Sequence, residues 1–163
     1  MEFAAADLGK LHILRVDPGE DVLEAIQEFL EQAGVRQAVV LGGYGTLGAY
    51  RLHWVTHNHL PSEILLGSDT GGFEILAMNG LVVEGKAHVH VTLATAGGAF
   101  GGHLEPGCIA YVLCELYLAE VEGITLTRPR VAVSVEGMGS GEISRLAFGQ
   151  GRPQAGPTER SES

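Results

Sequence analysis

From Lys86 to Thr95 the chain alternates polar and apolar residues, then reverses through Ala96-Gly97-Gly98 and arrives at Gly101-Gly102-His103. A period of two belongs to a strand with one buried and one open face, and a glycine-rich reversal turns the two arms into a hairpin. This segment commits the chain to a sheet. His88 and His90 stand two residues apart, so both imidazoles project from one face of the strand. With the turn centred on Ala96–Gly97, His103 falls opposite His90. Three converging imidazoles with no fourth protein ligand in the motif form an open site for zinc or another divalent transition metal. The same spacing also reads as two strand histidines on a wetted face and one in a loop.

The flanking segments fill out the sheet. Leu11–Val16 reads as a first strand, and Asp17-Pro-Gly-Glu-Asp21 as a helix start with carboxylates at the positive end of the dipole. Val22, Leu23, Ile26, Phe29 and Leu30 make one apolar helical face, which Gly34 ends. Gln37–Leu41 reads as an interior strand, and Phe73–Gly80 as a strand ending at a turn, with Leu81–Glu84 leading on. Cys108–Val121 is almost continuously apolar; its β-branched and aromatic residues favour a long central strand over a buried helix. Glu122–Glu136 adds one or two shorter strands. The expected architecture is α/β of the α+β type: a strand-rich, mostly antiparallel sheet packed on one main α-helix. A single domain is expected over residues 1–147, with a disordered Gly/Pro/Ser/Glu-rich tail over 148–163.

Charge narrows the partners. The 163 residues include 20 acidic against 10 basic side chains, a formal net charge of −10. Duplex binding draws on cations that neutralise phosphates, and no basic cluster is present, so a nucleic-acid partner is not expected. Gln150-Gly-Arg-Pro153 has the shape of an AT-hook core, but glutamine stands where the first arginine belongs and no lysines flank it. No apolar run is long enough to span a membrane, and the N-terminal residues lack the basic and apolar regions of a signal peptide. Cys108 and Cys114 would lie about 20 Å apart along a strand, too far for a disulfide. Reduced, buried thiols in a cytoplasmic protein are the expectation.

Other motifs add less. Gly43-Tyr-Gly-Thr-Leu-Gly48 matches Gly-x-Gly-x-x-Gly, but a β-rich run follows it where a dinucleotide site needs a helix, so a tight strand-to-strand turn is expected. His53, His57 and His59 read as exposed loop histidines, with a metal or substrate contact as the alternative. Thr92 shares the His88–His90 face and is a candidate for supporting the metal ligands. Glu105, just beyond His103, reads as a fourth ligand, a general base or a solvated carboxylate. Cys108 suits a buried position better than a ligand. Thr95 stands where a cupin places its glutamate, and Thr92 where a histidine-triad hydrolase places its third histidine, so neither pattern is met.

Several of these segments, taken in order, resemble the PPC domain, also called DUF296, across roughly residues 8 to 140. The residues are Leu14-Arg15 with Gly19–Val22, the glycines of 43–48, Gly72–Leu76, the His-x-His strand, and Gly-Gly-His-Leu-x-Pro-Gly at 101–107. The resemblance implies an antiparallel sheet packed on a helix, a homotrimer, and a metal on His88, His90 and His103. In plant relatives the stretch matching Phe73, Glu74, Ile75 and Leu76 is implicated in partner binding, which makes these four a candidate contact edge. The fold also resembles that of acetolactate decarboxylase, which holds zinc by a similar His-x-His and a downstream histidine. Three functions are consistent with these features: a metal-binding homo-oligomer taking a small anionic ligand, a zinc-dependent decarboxylase or hydrolase, and a protein-interaction module.

Overall fold

A computed structural model of the protein describes residues 1–150. Ten strands and one helix follow one another among the described residues. They are β1 (Asp7–Val16), α1 (Val22–Ala33), β2 (Ala38–Val55), β3 (Ile64–Val83), β4 (Lys86–Thr95), β5 (Gly98–Leu104), β6 (Ile109–Glu122), β7 (Ile124–Thr127), β8 (Arg130–Val135), β9 (Gly139–Ser144) and β10 (Ala147–Gln150). The main sheet has the order β1-β6-β2-β3-β4-β5, antiparallel throughout. β7 pairs with β10, and β8 with β9, as two small ribbons. The strand-rich sheet with a single helix is the architecture expected from the sequence.

β2 does most to shape the molecule. Its first part, Ala38–Ala49, pairs with β6, while Leu52 and His53 near its end pair with Leu104 and His103 of β5. Because β2, β3, β4 and β5 also pair in series, this last contact curls the four strands into a closed turn of sheet. The bending is concentrated in three register shifts between Val40 and Ala49. Gly45 lies there at φ 135°, and a Cβ on it would meet the Leu113 carbonyl oxygen at 2.1 Å. The glycines of 43–48 therefore let β2 bend against β6 and form neither a turn nor a nucleotide loop, which corrects the expected strand-to-strand turn.

The helix forms where the sequence places it. Asp21 caps it, its Oδ1 accepting from the backbone N–H of Leu23 (2.9 Å) and Glu24 (3.0 Å), and Gly34 ends it in the left-handed conformation at φ 68°. Val22, Ile26 and Leu30 are buried, in one core with Leu47, Leu52, Leu93, Leu104, Leu116 and Leu118 from four strands. Each such side chain contributes roughly 1.5–3 kcal/mol by leaving water. Asp21 has a second task. Its other carboxylate oxygen accepts from the Gly107 N–H, tying the helix start to the loop that follows His103.

Other expectations change at the edges. Gln37–Leu41 is only the beginning of β2, and Phe73–Gly80 the second half of β3. The expected tail begins too early: Phe148 and Gly149 continue β10 and pair with Leu126 and Thr125. Residues beyond Gln150 lie outside the described residues, as does the rest of the Gln150–Pro153 segment. Phe73–Leu76 is not an edge, because β3 runs between β2 and β4. Phe73 and Ile75 are 7% and 3% exposed and belong to the core, while Leu76 is 58% exposed on the outer face and Glu74 is also exposed. Cys108 and Cys114 are buried free thiols, and burial pushes both up to about 11.

Candidate metal centre

The hairpin register brings the histidines together. Ala94 pairs with Ala99 and Thr95 with Gly98, so the turn centres on Ala96–Gly97 and His90 lies directly across from His103. His88 follows the same face of β4, its buried neighbours Val89 and Val91 turned inward to the core. The ring centroids of His88, His90 and His103 lie 4.4 to 5.3 Å apart, and one nitrogen from each falls within 4.8 Å of the others. The Nε2 atoms of His88 and His90 are 3.3 Å apart. Two ligands each about 2.0–2.1 Å from a tetrahedral zinc stand about 3.3–3.4 Å from one another, so this spacing fits a shared ion.

The electrostatics favour ligation as well. Burial first, and then the neighbouring His88, His53 and His90, push His103 down from 6.5 to about 4. His88 is lowered chiefly by burial and then by the positive charge of Arg128. Both imidazoles therefore keep their lone pairs at neutral pH, the form a metal needs.

A fourth histidine stands on the other side of His103. The end of β2 pairs His53 with His103, and their ring centroids are 4.3 Å apart. His53 Nδ1 donates to the Glu105 carboxylate at 2.6 Å, which leaves Nε2 as its free ligand atom. His53, His103 and Glu105 form a second set whose ligand atoms lie within 4.8 Å. His103 belongs to both sets. The glycines before it make room for this arrangement: a Cβ at Gly101 would meet the Val91 carbonyl oxygen at 2.6 Å, and one at Gly102 the His53 carbonyl oxygen at 3.0 Å. Trp54 seals the strand end by donating its indole N–H to the Gly101 carbonyl. The histidines open into a cavity of about 580 Å³, with Trp54, Val55 and Thr92 on its walls.

The motifs and the fold have counterparts. The sequence matches the Plants and Prokaryotes Conserved (PCC) domain over residues 3–122. The chain belongs to this family. A plant- and prokaryote-conserved (PPC) protein of Pyrococcus horikoshii is 27% identical and superposes with a TM-score of 0.68 over 80% of this chain and 92% of its own. A metal-containing protein of Archaeoglobus fulgidus is 26% identical, with a TM-score of 0.69 over 85% and 96% of the two chains. The bifunctional protein GlmU of Synechococcus sp. (strain JA-2-3B'a(2-13)) is 36% identical over 114 residues, 68% of this chain. That stretch spans only 17% of the relative's length.

In this PCC domain, then, His88, His90 and His103 converge, and Glu105 reaches the cluster through His53. Thr92 lines the cavity but makes no side-chain hydrogen bond among the described residues. His53, expected in a loop with His57 and His59, is instead a strand residue inside the cluster. The β-rich run over residues 49–55, which contains His53, is the signal that could have placed it. His57 and His59 do lie beyond β2, with their rings 5.7 Å apart, and belong to neither ligand set. Cys108 is fully buried, its thiol is bonded to the Arg51 backbone, and it belongs to neither set.

Proposed function

We propose that this PCC-domain protein is a zinc-binding homotrimer whose open three-histidine site takes a small anionic ligand. The observation that carries this reading is the convergence of His88, His90 and His103 with nitrogens at a shared-ion spacing. The metal-containing relative from Archaeoglobus lends it support. His88, His90 and His103 would hold the ion, while His53, oriented by Glu105, borders it on the β2 side. Bound there, zinc would supply a Lewis acid whose full charge three neutral ligands leave intact. The open cavity beside it gives a ligand oxygen access to that charge. The trimer is supported by a band of exposed apolar residues, Ile13, Tyr117, Tyr44 and Leu76, on the successive strands β1, β6, β2 and β3.

The deciding experiment is elemental analysis of untagged protein beside His88→Ala and His103→Ala. One zinc per chain, lost in both variants, supports the reading; wild-type protein that takes up no zinc when it is supplied overturns it.

A second reading, a zinc-dependent decarboxylase or hydrolase, is favoured by one observation. The His53–Glu105 pair offers a proton-handling group beside the ligands. Zinc-loaded protein that turns over neither 2-oxo and 2-hydroxy acids nor simple esters would count against it.

A further inference from the structure

The cavity next to the histidines has a different chemistry. Lys86 opens β4 on the same outward face as His88 and His90. Arg128 follows directly after β7 and approaches closely enough for its charge to act on His88. Together with Glu84 and Ser144 they line a cavity of about 450 Å³ that shares His88 as a wall with the metal-site cavity.

Arg128 differs from the arginines that follow it along the chain, Arg130 and Arg145. Each of those two holds a carboxylate, Glu142 and Glu2 respectively. The Nε of Arg128 is shut off from solvent with no hydrogen-bond partner, and its guanidinium makes no ion pair among the described residues. Glu84 does not serve it, because that carboxylate accepts from the Arg128 backbone N–H at 3.2 Å. Arg128 is half-buried on the wall of this cavity with no carboxylate of the described residues to hold, and an acceptor from outside the chain would complete it.

We propose that Arg128, with Lys86 beside it, is the subsite for the carboxylate of the ligand whose other end meets the His88, His90 and His103 cluster. The inference rests on reading that cluster as a ligand site and adds the class of ligand. The guanidinium fork matches a carboxylate's two oxygens, and the lysine adds a point charge. Two cations against the single Glu84 carboxylate leave one net positive charge, which suits a monoanion better than a phosphate dianion. The hydroxyl of Ser144 offers one more donor. A small monocarboxylic acid with a neighbouring oxygen, a 2-oxo or 2-hydroxy acid, would place its carboxylate on Arg128 and its second oxygen toward the histidines.

The test is calorimetric titration of pyruvate, and separately of inorganic phosphate, into wild-type protein, Arg128→Gln, Arg128→Lys and His88→Ala. Zinc content and thermal melting are measured for each. Pyruvate should bind wild type in preference to phosphate and weaken about tenfold or more in Arg128→Gln, with zinc content unchanged. Arg128→Lys, which keeps the charge and loses the fork, should fall between them, and it serves as the decisive variant if Arg128→Gln melts early. Equal pyruvate affinity in wild type and both Arg128 variants, a preference for phosphate, or no pyruvate binding at millimolar concentration overturns the subsite. The two readings separate cleanly. Absent zinc with Arg128-dependent pyruvate binding defeats the metal reading alone, and bound zinc with Arg128-independent binding defeats the subsite alone.

Discussion

His53 of β2 and His103 of β5 lie directly across from one another, ring centroids 4.3 Å apart, on strands that meet only because β2 curls over the end of the hairpin. His103 is thereby flanked on both sides, by His90 on β4 and by His53 on β2. The outcome is a histidine row across three strands with a carboxylate, Glu105, behind one end.

The position of His53 gives a graded expectation. His88→Ala and His103→Ala remove ligands and should abolish stoichiometric zinc. His53→Ala should keep one zinc per chain but weaken its affinity by roughly 10–100-fold, as loss of a group that supports metal ligands commonly does. Glu105→Gln should act in the same direction and less strongly, since it disturbs only the orientation of His53. Competition with a chromophoric chelator would measure all four. Wild-type affinity in His53→Ala would remove that residue from the site.

Acid should destabilise the metal-free protein through the same cluster. His103 titrates at about 4 in the folded state against 6.5 when free of burial, so between these values the unfolded chain binds more protons. Stability contributed by the neutral form is present above pH 6.5 and is lost progressively as pH falls toward 4. His88, lowered for related reasons, adds to the same slope. The melting temperature should therefore drop across that window, and His103→Gln should flatten the decline. A metal-free wild-type protein whose melting temperature is level from pH 6.5 to 4 would contradict this account.

What the sequence revealed and what it concealed follow from the range of the interactions. The His90–His103 pairing was legible because a symmetric hairpin is a local object: counting outward from Ala96–Gly97 suffices. The helix was legible for the same reason, its apolar face and its Gly34 stop lying within a few turns. His53 was not, because its place depends on β2 running unbroken through six glycine-rich residues that resemble a turn. Arg128 was hidden too, since the partnerless state of a side chain appears only when its surroundings are assembled. Phe73 and Ile75 were misassigned to an edge because alternation tells which residues alternate and not which strand they neighbour.

Gly45 offers a direct check on that bend. Its φ of 135° and the 2.1 Å approach of the Leu113 carbonyl leave no space for a methyl group. Gly45→Ala should cost about 1–3 kcal/mol for the backbone conformation, with the displaced contact adding to it. Gly48→Ala meets only ordinary contacts, none nearer than 3.7 Å, and should change stability far less. Urea denaturation of the two variants makes the comparison, and equal stabilities would mean that the bend does not depend on Gly45.

Asp21 couples the helix to the site loop, so its loss should be felt twice. Asp21→Ala removes the cap on Leu23 and Glu24, an effect of about 1 kcal/mol, and also frees the Gly107 N–H beside Glu105. Asp21→Asn can retain the cap through its side-chain oxygen but weakens the charged bond to the loop. Zinc affinity should therefore fall in both variants, while the melting temperature should fall mainly in the alanine one. Unaltered zinc affinity in both would show that the loop holds its place without the helix.

The outer sheet face completes the set. Tyr117 is flanked by Ile13 on β1 and by Gly42 on β2, and a Cβ at Gly42 would meet the tyrosine hydroxyl at 2.3 Å, so the ring lies flat over the glycine. Next to it, Tyr44 donates to Glu115, and Leu76 continues the band on β3. Ile13 is 77% exposed in the single chain, beside the aromatic ring of Tyr117 on the next strand. If copies of the chain bury this face, Ile13→Asp should convert the assembly to monomer without unfolding it, because the residue adds nothing to the core of one chain. Light scattering coupled to size-exclusion chromatography gives the mass. A trimer that survives both Ile13→Asp and Tyr117→Asp would place its contacts on another surface, and a wild-type monomer would remove the trimer from the proposed function.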